Sequence, residues 1–222
     1  MTESPVVAFR AIISSLELKD DNGTWTRAIP LAYLGSPPPG FGRDAFPNPL
    51  WPGGTHLVAS RYIPKGMCDA YHISDDASTA MAEAEALPEA VTDPVFGVPR
   101  KSMALLRVEW RLTGILDLCD VAVRGALSVP EAELVSGTAV LDAVEKAAAT
   151  PPSETVTHSL GRAAFLDERV SAIRYPSARR KGGRNIVVFT DRVTPQSGQF
   201  LQTRDDTRDR TWRLPALVGP RP

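Results

Sequence analysis

The chain is poor in the side chains that metal centres and disulfide frameworks require: of its 222 residues, two are cysteine and three are histidine. Cys68 and Cys119 form no CxxC pair, and His56, His72 and His158 are scattered, so no metal-ligand spacing is present. An excess of charge of one sign is also lacking. Lys and Arg number 25 against 26 Asp and Glu, a formal net charge of −1, which excludes whole-molecule attraction to nucleic acid or to an anionic membrane. Any anion site must therefore be local. No stretch approaches the roughly 18 consecutive apolar residues of a membrane span. The opening MTESPVVAFR lacks the basic-then-apolar order of a secretory signal, so the expectation is a cytoplasmic protein with no membrane partner. No internal repeat is evident.

What is present is enough apolar side chain, 43% of the total, for a substantial core at this length. A single domain over 1–222 is expected, with an N-terminal strand and Pro/Gly-rich leader at 1–55, a core at 56–193 and a C-terminal extension at 194–222. VVAFRAII is rich in β-branched residues and reads as a strand, and the Asn-Gly of LKDDNGTW as the start of a hairpin. The stretch GSPPPGFGRDAFPNPLWPGG admits neither helix nor ladder and reads as a long loop or lid. HLVASRY and CDAYHIS read as strands, and DDASTAMAEAEAL as a helix ending before Pro88.

Further on, MALLRVEWRL alternates as a half-buried strand should, and ILDLC continues or parallels it. DVAVRGAL, PEAELVSG and TAVLDAVEKAAA are short helical segments that cover the sheet. SETVTHSLGRAAFLDE is a helix, VSAIRYP and NIVVFTD are strands, and the tail TRDDTRDRTWRLPALVGPRP is expected to be only partly ordered. The fold class is α+β.

One local concentration of charge stands out. YPSARRKGGRN carries Arg179, Arg180, Lys181 and Arg184 between two apolar strands. Two readings are open: a solvated hairpin turned by Gly182 and Gly183, or an anion site in which arginines meet phosphate oxygens. Elsewhere Arg61, Tyr71 and Glu83 are polar where simpler residues would have served. Arg61 and Tyr71 are ten positions apart across a short connection, and Glu83 projects from the helix that follows. Taken singly, each suits a plain role: an edge charge, a core aromatic, a solvated helix residue.

In combination, SRY, AYHIS, TAMAE, YPSAR and GRNIVVF, with LDLCDVAVRGAL and LGRAAF between them, resemble in order the motifs of the RES family, named for its Arg, Glu and Ser. The resemblance covers most of 56–193. It implies an ADP-ribosyltransferase-like fold of mixed or antiparallel sheets flanked by short helices, and an enzyme that consumes NAD without a metal. It further implies the toxin of a toxin–antitoxin pair, whose partners are NAD and a cognate antitoxin protein rather than nucleic acid. The alternative is a catalytically inactive RES-like module that binds a nucleotide or a partner.

The catalytic residues implied are Arg61, Tyr71, Glu83 and Ser177, with Arg179, Arg184 and Asn185 binding NAD. In that scheme Arg61 grips the pyrophosphate, Tyr71 stacks on nicotinamide, Glu83 stabilises the developing ribosyl cation, and Ser177 binds a phosphate or ribose oxygen beside the basic loop. Glu83→Ala is expected to be tolerated structurally. Two departures are visible: SRYIPKGM stands where the family has a GGRWNPPG-like sequence, and the Tyr to Glu interval is one residue longer.

Overall fold

The computed structural model describes residues 4–31, 49–52, 59–85, 102–136, 155–205 and 209–215. The chain opens not with a strand but with helix α1, Pro5–Ile13. VVAFRAII has strand-like composition, but Pro5 occupies the first helical turn, where its missing N–H is not needed. Val6, Phe9, Ile12 and Ile13 then repeat at helical spacing and pack into the core. Strand β1, Lys19–Pro30, runs straight through Asn22-Gly23, so the expected hairpin turn is absent. A long antiparallel ladder with β3, Met103–Asp117, overrides the local turn preference, pairing Asn22 with Arg111 and Pro30 with Met103. MALLRVEWRL and ILD thus form one continuous strand.

Residues 59–63 form no strand and the chain bends at 61–63, so Arg61 lies outside any strand, while 56–58 of the expected strand HLVASRY lie outside the described residues. CDAYHIS supplies β2, Ala70–Ser74, and the helix after it is α2, Ala77–Glu85. Short helices α3, Val121–Leu127, and α4, Glu131–Val135, precede α5, Val156–Leu166. Strands β4, Ala172–Pro176, and β5, Arg184–Phe189, flank the basic loop. The tail is more regular than its polarity suggests: β6, Phe200–Asp205, and β7, Arg210–Leu214, form an antiparallel hairpin. Most of the Pro/Gly-rich leader, and TAVLDAVEKAAA, lie outside the described residues.

The strands form one mixed sheet in the order β1-β2-β5-β4-β3-β6-β7, and β1 also pairs with β3. A single pair, Thr26 with Ser74, joins β1 to β2, so five strands come round upon themselves. Long β3 serves two neighbours along its far edge: β4 at 115–117, in parallel, and β6 at 108–111.

Strand alternation divides the core in two. Tyr71, Ile73, Trp110, Leu112, Ile186 and Val188 fill the inside of the ring, with Trp25 set edge-on to Trp110 at 5.6 Å. Ile173, Tyr175, Val187 and Phe189 face outward and are covered by residues of α1, α3, α4 and α5. Both the helices and the polar cluster described below stand on this outer face.

Helix α5 seats the bend at 60–62. His158 Nε2 lies 3.0 Å from the Ser60 carbonyl, and a Cβ on Gly161 would meet the Tyr62 carbonyl oxygen at 1.7 Å. Gly161→Ala is therefore expected to unseat this bend and destabilise the fold by about 2 kcal/mol or more. Gly125→Ala, in α3 with open space around it, should stabilise by roughly 0.5–1 kcal/mol through helix propensity. Denaturant unfolding of the two variants checks the contrast.

Candidate active site

The site is assembled by three backbone elements that converge on one carboxylate. Asn185, the second residue of β5, stands opposite Ser74 on β2 and Tyr175 on β4. Ser177 follows β4, and its backbone N–H donates to the Gly183 carbonyl at 2.8 Å, closing the basic loop. Glu83 comes down from α2. Its Oε1 accepts from Ser177 Oγ at 2.6 Å and from Asn185 Nδ2 at 2.9 Å, while Ser74 Oγ donates to Asn185 Oδ1 at 2.7 Å. Ser74, Ser177 and Asn185 are all buried. Among the described residues, no protein group bonds Glu83 Oε2.

Ser177 is fully engaged. Its hydroxyl donates to Glu83 and accepts from the backbone N–H groups of Arg179, at 3.2 Å, and Arg180, at 3.0 Å. It therefore orients the carboxylate and ties it to the loop, and keeps no donor for a phosphate or ribose.

The charge of the loop is partly neutralised by the start of α2. Arg180 pairs with Asp76 and donates to Thr79 Oγ1 at 3.0 Å, and Arg184 Nε donates to Asp75 at 3.3 Å. These pairs are largely solvated and add little stability individually. They do clamp the loop to the helix that carries Glu83. Gly183 permits the approach, since a Cβ there would lie 2.6 Å from Thr79 Oγ1. YPSARRKGGRN is thus a hairpin tied by ion pairs to the segment that leads into α2, with Arg179 and Lys181 exposed.

Arg61 is buried on the same outer face. Its Nη1 donates to the Leu134 carbonyl at 3.2 Å, and its guanidinium carbon stands 5.7 Å from the Tyr175 ring centre. Tyr62 packs on Tyr175 with centroids 4.6 Å apart. Tyr62 and Tyr175 lie within the fields of both Arg61 and Glu83, and burial pushes both phenols well above their ordinary range.

Tyr71 is not brought to this cluster. The alternation of β2 turns it into the ring, where its hydroxyl donates to the Pro49 carbonyl at 3.1 Å and Arg27 covers its face at 4.0 Å. Its neighbour His72 takes the outer face instead, with Nδ1 3.4 Å from the Tyr175 hydroxyl. The sequence carried the clue: Ala70, His72 and Ser74 share one phase of the strand, and the extra residue before Glu83 shifts that phase by one. His72, Tyr62, Tyr175 and Ser74 were all missed by reading residue types alone. Desolvation first, then Arg27 and Arg61, lowers the His72 pKa from the usual 6.5 to about 3, so the imidazole is neutral at physiological pH.

Comparison with known proteins bears on the family and the fold. A model of the RES domain matches residues 39–215. Among solved structures, a chain from the crystal structure of the M. tuberculosis MbcT-MbcA toxin-antitoxin complex is similar with a TM-score of 0.64 and 16% identity. The match covers 95% of this chain and 94% of that one. No curated protein matches the sequence. Among the described residues there is no cluster of metal-ligating side chains, and no helix is long and apolar enough to cross a membrane.

Glu83→Ala would strip the acceptor from two buried donors, contrary to the expectation of easy tolerance, and should cost about 2 kcal/mol or more. Glu83→Gln keeps an acceptor oxygen and should cost less. Thermal or chemical denaturation ranks the two. A second expectation follows from His72. The unfolded chain takes up a proton as pH falls through 6.5, whereas the native imidazole resists until about 3. Its contribution is thus fully present above the unfolded pKa and is lost between these values, about 2 kcal/mol by pH 5. Melting curves from pH 7 to 5 should fall more steeply for the parent than for His72→Gln.

Proposed function

The chain belongs to the RES domain family, and from that membership we propose that it cleaves the bond between nicotinamide and ribose in NAD. The observation that carries the reading is Glu83 Oε1 pinned by Ser177 and Asn185 while Oε2 has no partner among the described residues, on the face that also holds Arg61. Nicotinamide in NAD is already a cationic leaving group, so bond breaking needs no strong acid. Positive charge develops on the ribose, and a fixed carboxylate beside it stabilises that charge and binds a ribose hydroxyl.

Arg61 serves the pyrophosphate through donors not used on Leu134, and the exposed Arg179 and Lys181 add positive potential at the mouth. Asn185 acts through Glu83, as Ser177 does, rather than by direct contact with the dinucleotide. Water, phosphate or a protein side chain would complete the reaction as acceptor, giving hydrolysis, phosphorolysis or ADP-ribosyl transfer. The likeness in fold to a chain of a toxin–antitoxin complex supports the further reading that this enzyme is a toxin held in check by a cognate antitoxin.

Purified protein is expected to release nicotinamide from NAD, with products identified by mass spectrometry with and without phosphate. Glu83→Gln should slow release by roughly a hundred- to a thousandfold, the usual effect of losing one preorganised electrostatic partner. Glu168→Ala, an exposed carboxylate after α5, should match the parent. Expression of the parent should arrest growth and expression of Glu83→Gln should not. A parent that releases no nicotinamide under any of these conditions favours the inactive binding module instead.

A further inference from the structure

Arg61 projects from a segment that belongs to no helix or strand, residues 59–63. Such a segment keeps one geometry only where its backbone groups are tied elsewhere. Two ties meet at Ser60. Its N–H donates to the Ile63 carbonyl at 2.8 Å, which encloses Arg61 and Tyr62 between the bonded residues. Its carbonyl lies 3.0 Å from His158 Nε2. A carbonyl oxygen has no proton to give, so Nε2 is the donor and carries the proton of the ring. His158 is itself buried in the first turn of α5, where its backbone N–H donates to Thr155 Oγ1 at 3.1 Å. Gly161 lies three residues on, on the same face of the helix, against the Tyr62 carbonyl. Packing alone does not ask for an imidazole here, since Leu160, Ala163 and Ala164 of the same helix fill the outer core with carbon.

We propose that His158 is a positioning residue for Arg61: by donating Nε2–H to the Ser60 carbonyl it fixes the bend from which the guanidinium reaches a pyrophosphate. This rests on the reading of NAD as substrate and deepens it. The far end of Arg61 is anchored separately. Nη1 bonds the Leu134 carbonyl of α4 at 3.2 Å, and the guanidinium carbon stands 5.7 Å from the Tyr175 ring centre of β4. Both ends must hold for the remaining N–H groups to keep one direction. A displacement of the bend by about 1 Å would turn them away from an anion, and misplacements of that size are costly to binding and rate. Glu83 is aligned by Ser177 and Asn185 instead. A pyrophosphate is held alike before and after the ribosyl bond breaks, so loss of the His158 bond should appear in KM rather than in kcat.

The test uses ADP-ribose, which keeps the pyrophosphate and lacks nicotinamide, and so reads Arg61 whether or not NAD is cleaved. In calorimetric titration His158→Leu should weaken ADP-ribose binding by on the order of tenfold, and it should raise KM for NAD by a similar factor with kcat little changed. His158→Gln, whose side-chain N–H can reach the same carbonyl, should restore most of both. In an Arg61→Ala background His158→Leu should weaken binding no further. Equal weakening in both backgrounds, failure of His158→Gln to restore binding, or no ADP-ribose binding by the parent overturns the assignment. Nitrogen-15 NMR of the parent needs no variant and decides the matter if His158→Leu does not fold: a proton on His158 Nε2 supports the assignment, and a bare Nε2 overturns it. Nicotinamide release is followed in the same preparations. Coupling of His158 to Arg61 without release keeps the positioning role and removes the cleavage reading, and release without coupling does the reverse.

Discussion

Glu83 Oε1 accepts hydrogen bonds from Ser177 and Asn185 at once, and on that convergence the rest of the site depends. The three residues come from a helix, a loop and a strand, and among the described residues no other contact brings all three elements to one atom. Asn185 is itself fixed by Ser74 on the neighbouring strand, so the position of the carboxylate is inherited from the sheet register. Ser177 is fixed by backbone N–H groups of the loop, so the loop inherits its position from the carboxylate. The ion pairs to Asp75 and Asp76 repeat this link farther out, where water weakens them.

The second constraint is the closure of the sheet. A ring has an inside, and filling it with Tyr71, Ile73, Trp110, Ile186 and Val188 commits every alternate residue of the same strands to the outside. The outer positions are where His72, Ser74, Tyr175 and Asn185 stand. Apolar packing within the ring thus decides which polar side chains reach Glu83. Helix α5 completes the arrangement by pressing Gly161 on the bend that presents Arg61 and Tyr62.

The order of motifs made the family legible, and it pointed to Arg61, Glu83, Ser177 and Asn185, which the fold brings to one face. Residue type alone misled at Tyr71, because a tyrosine on a strand is equally suited to either face, and only the phase relative to Ile73 and Ile186 decides. VVAFRAII misled for a related reason: its β-branched residues favour a strand, but Pro5 and the spacing of Val6, Phe9 and Ile13 satisfy a helix packed on α5. Asn22-Gly23 carried a strong turn signal, yet the ladder with β3 outweighs a local preference. The basic loop was legible as charge but not as paired charge, since Asp75 and Asp76 lie a hundred residues away in sequence and meet it only through the β2 to β5 register.

That Ser177 works through Glu83, and not by touching substrate, is the claim most open to direct measurement. A double-mutant cycle with Glu83→Gln and Ser177→Ala, read as the rate of nicotinamide release from NAD, isolates their coupling. Ser177→Ala should slow the parent by on the order of tenfold or more and should barely change Glu83→Gln, since a hydroxyl that only aligns a carboxylate has no charge left to align. Equal slowing in both backgrounds would mean that the two residues act independently, and would contradict the role given to the shared carboxylate oxygen.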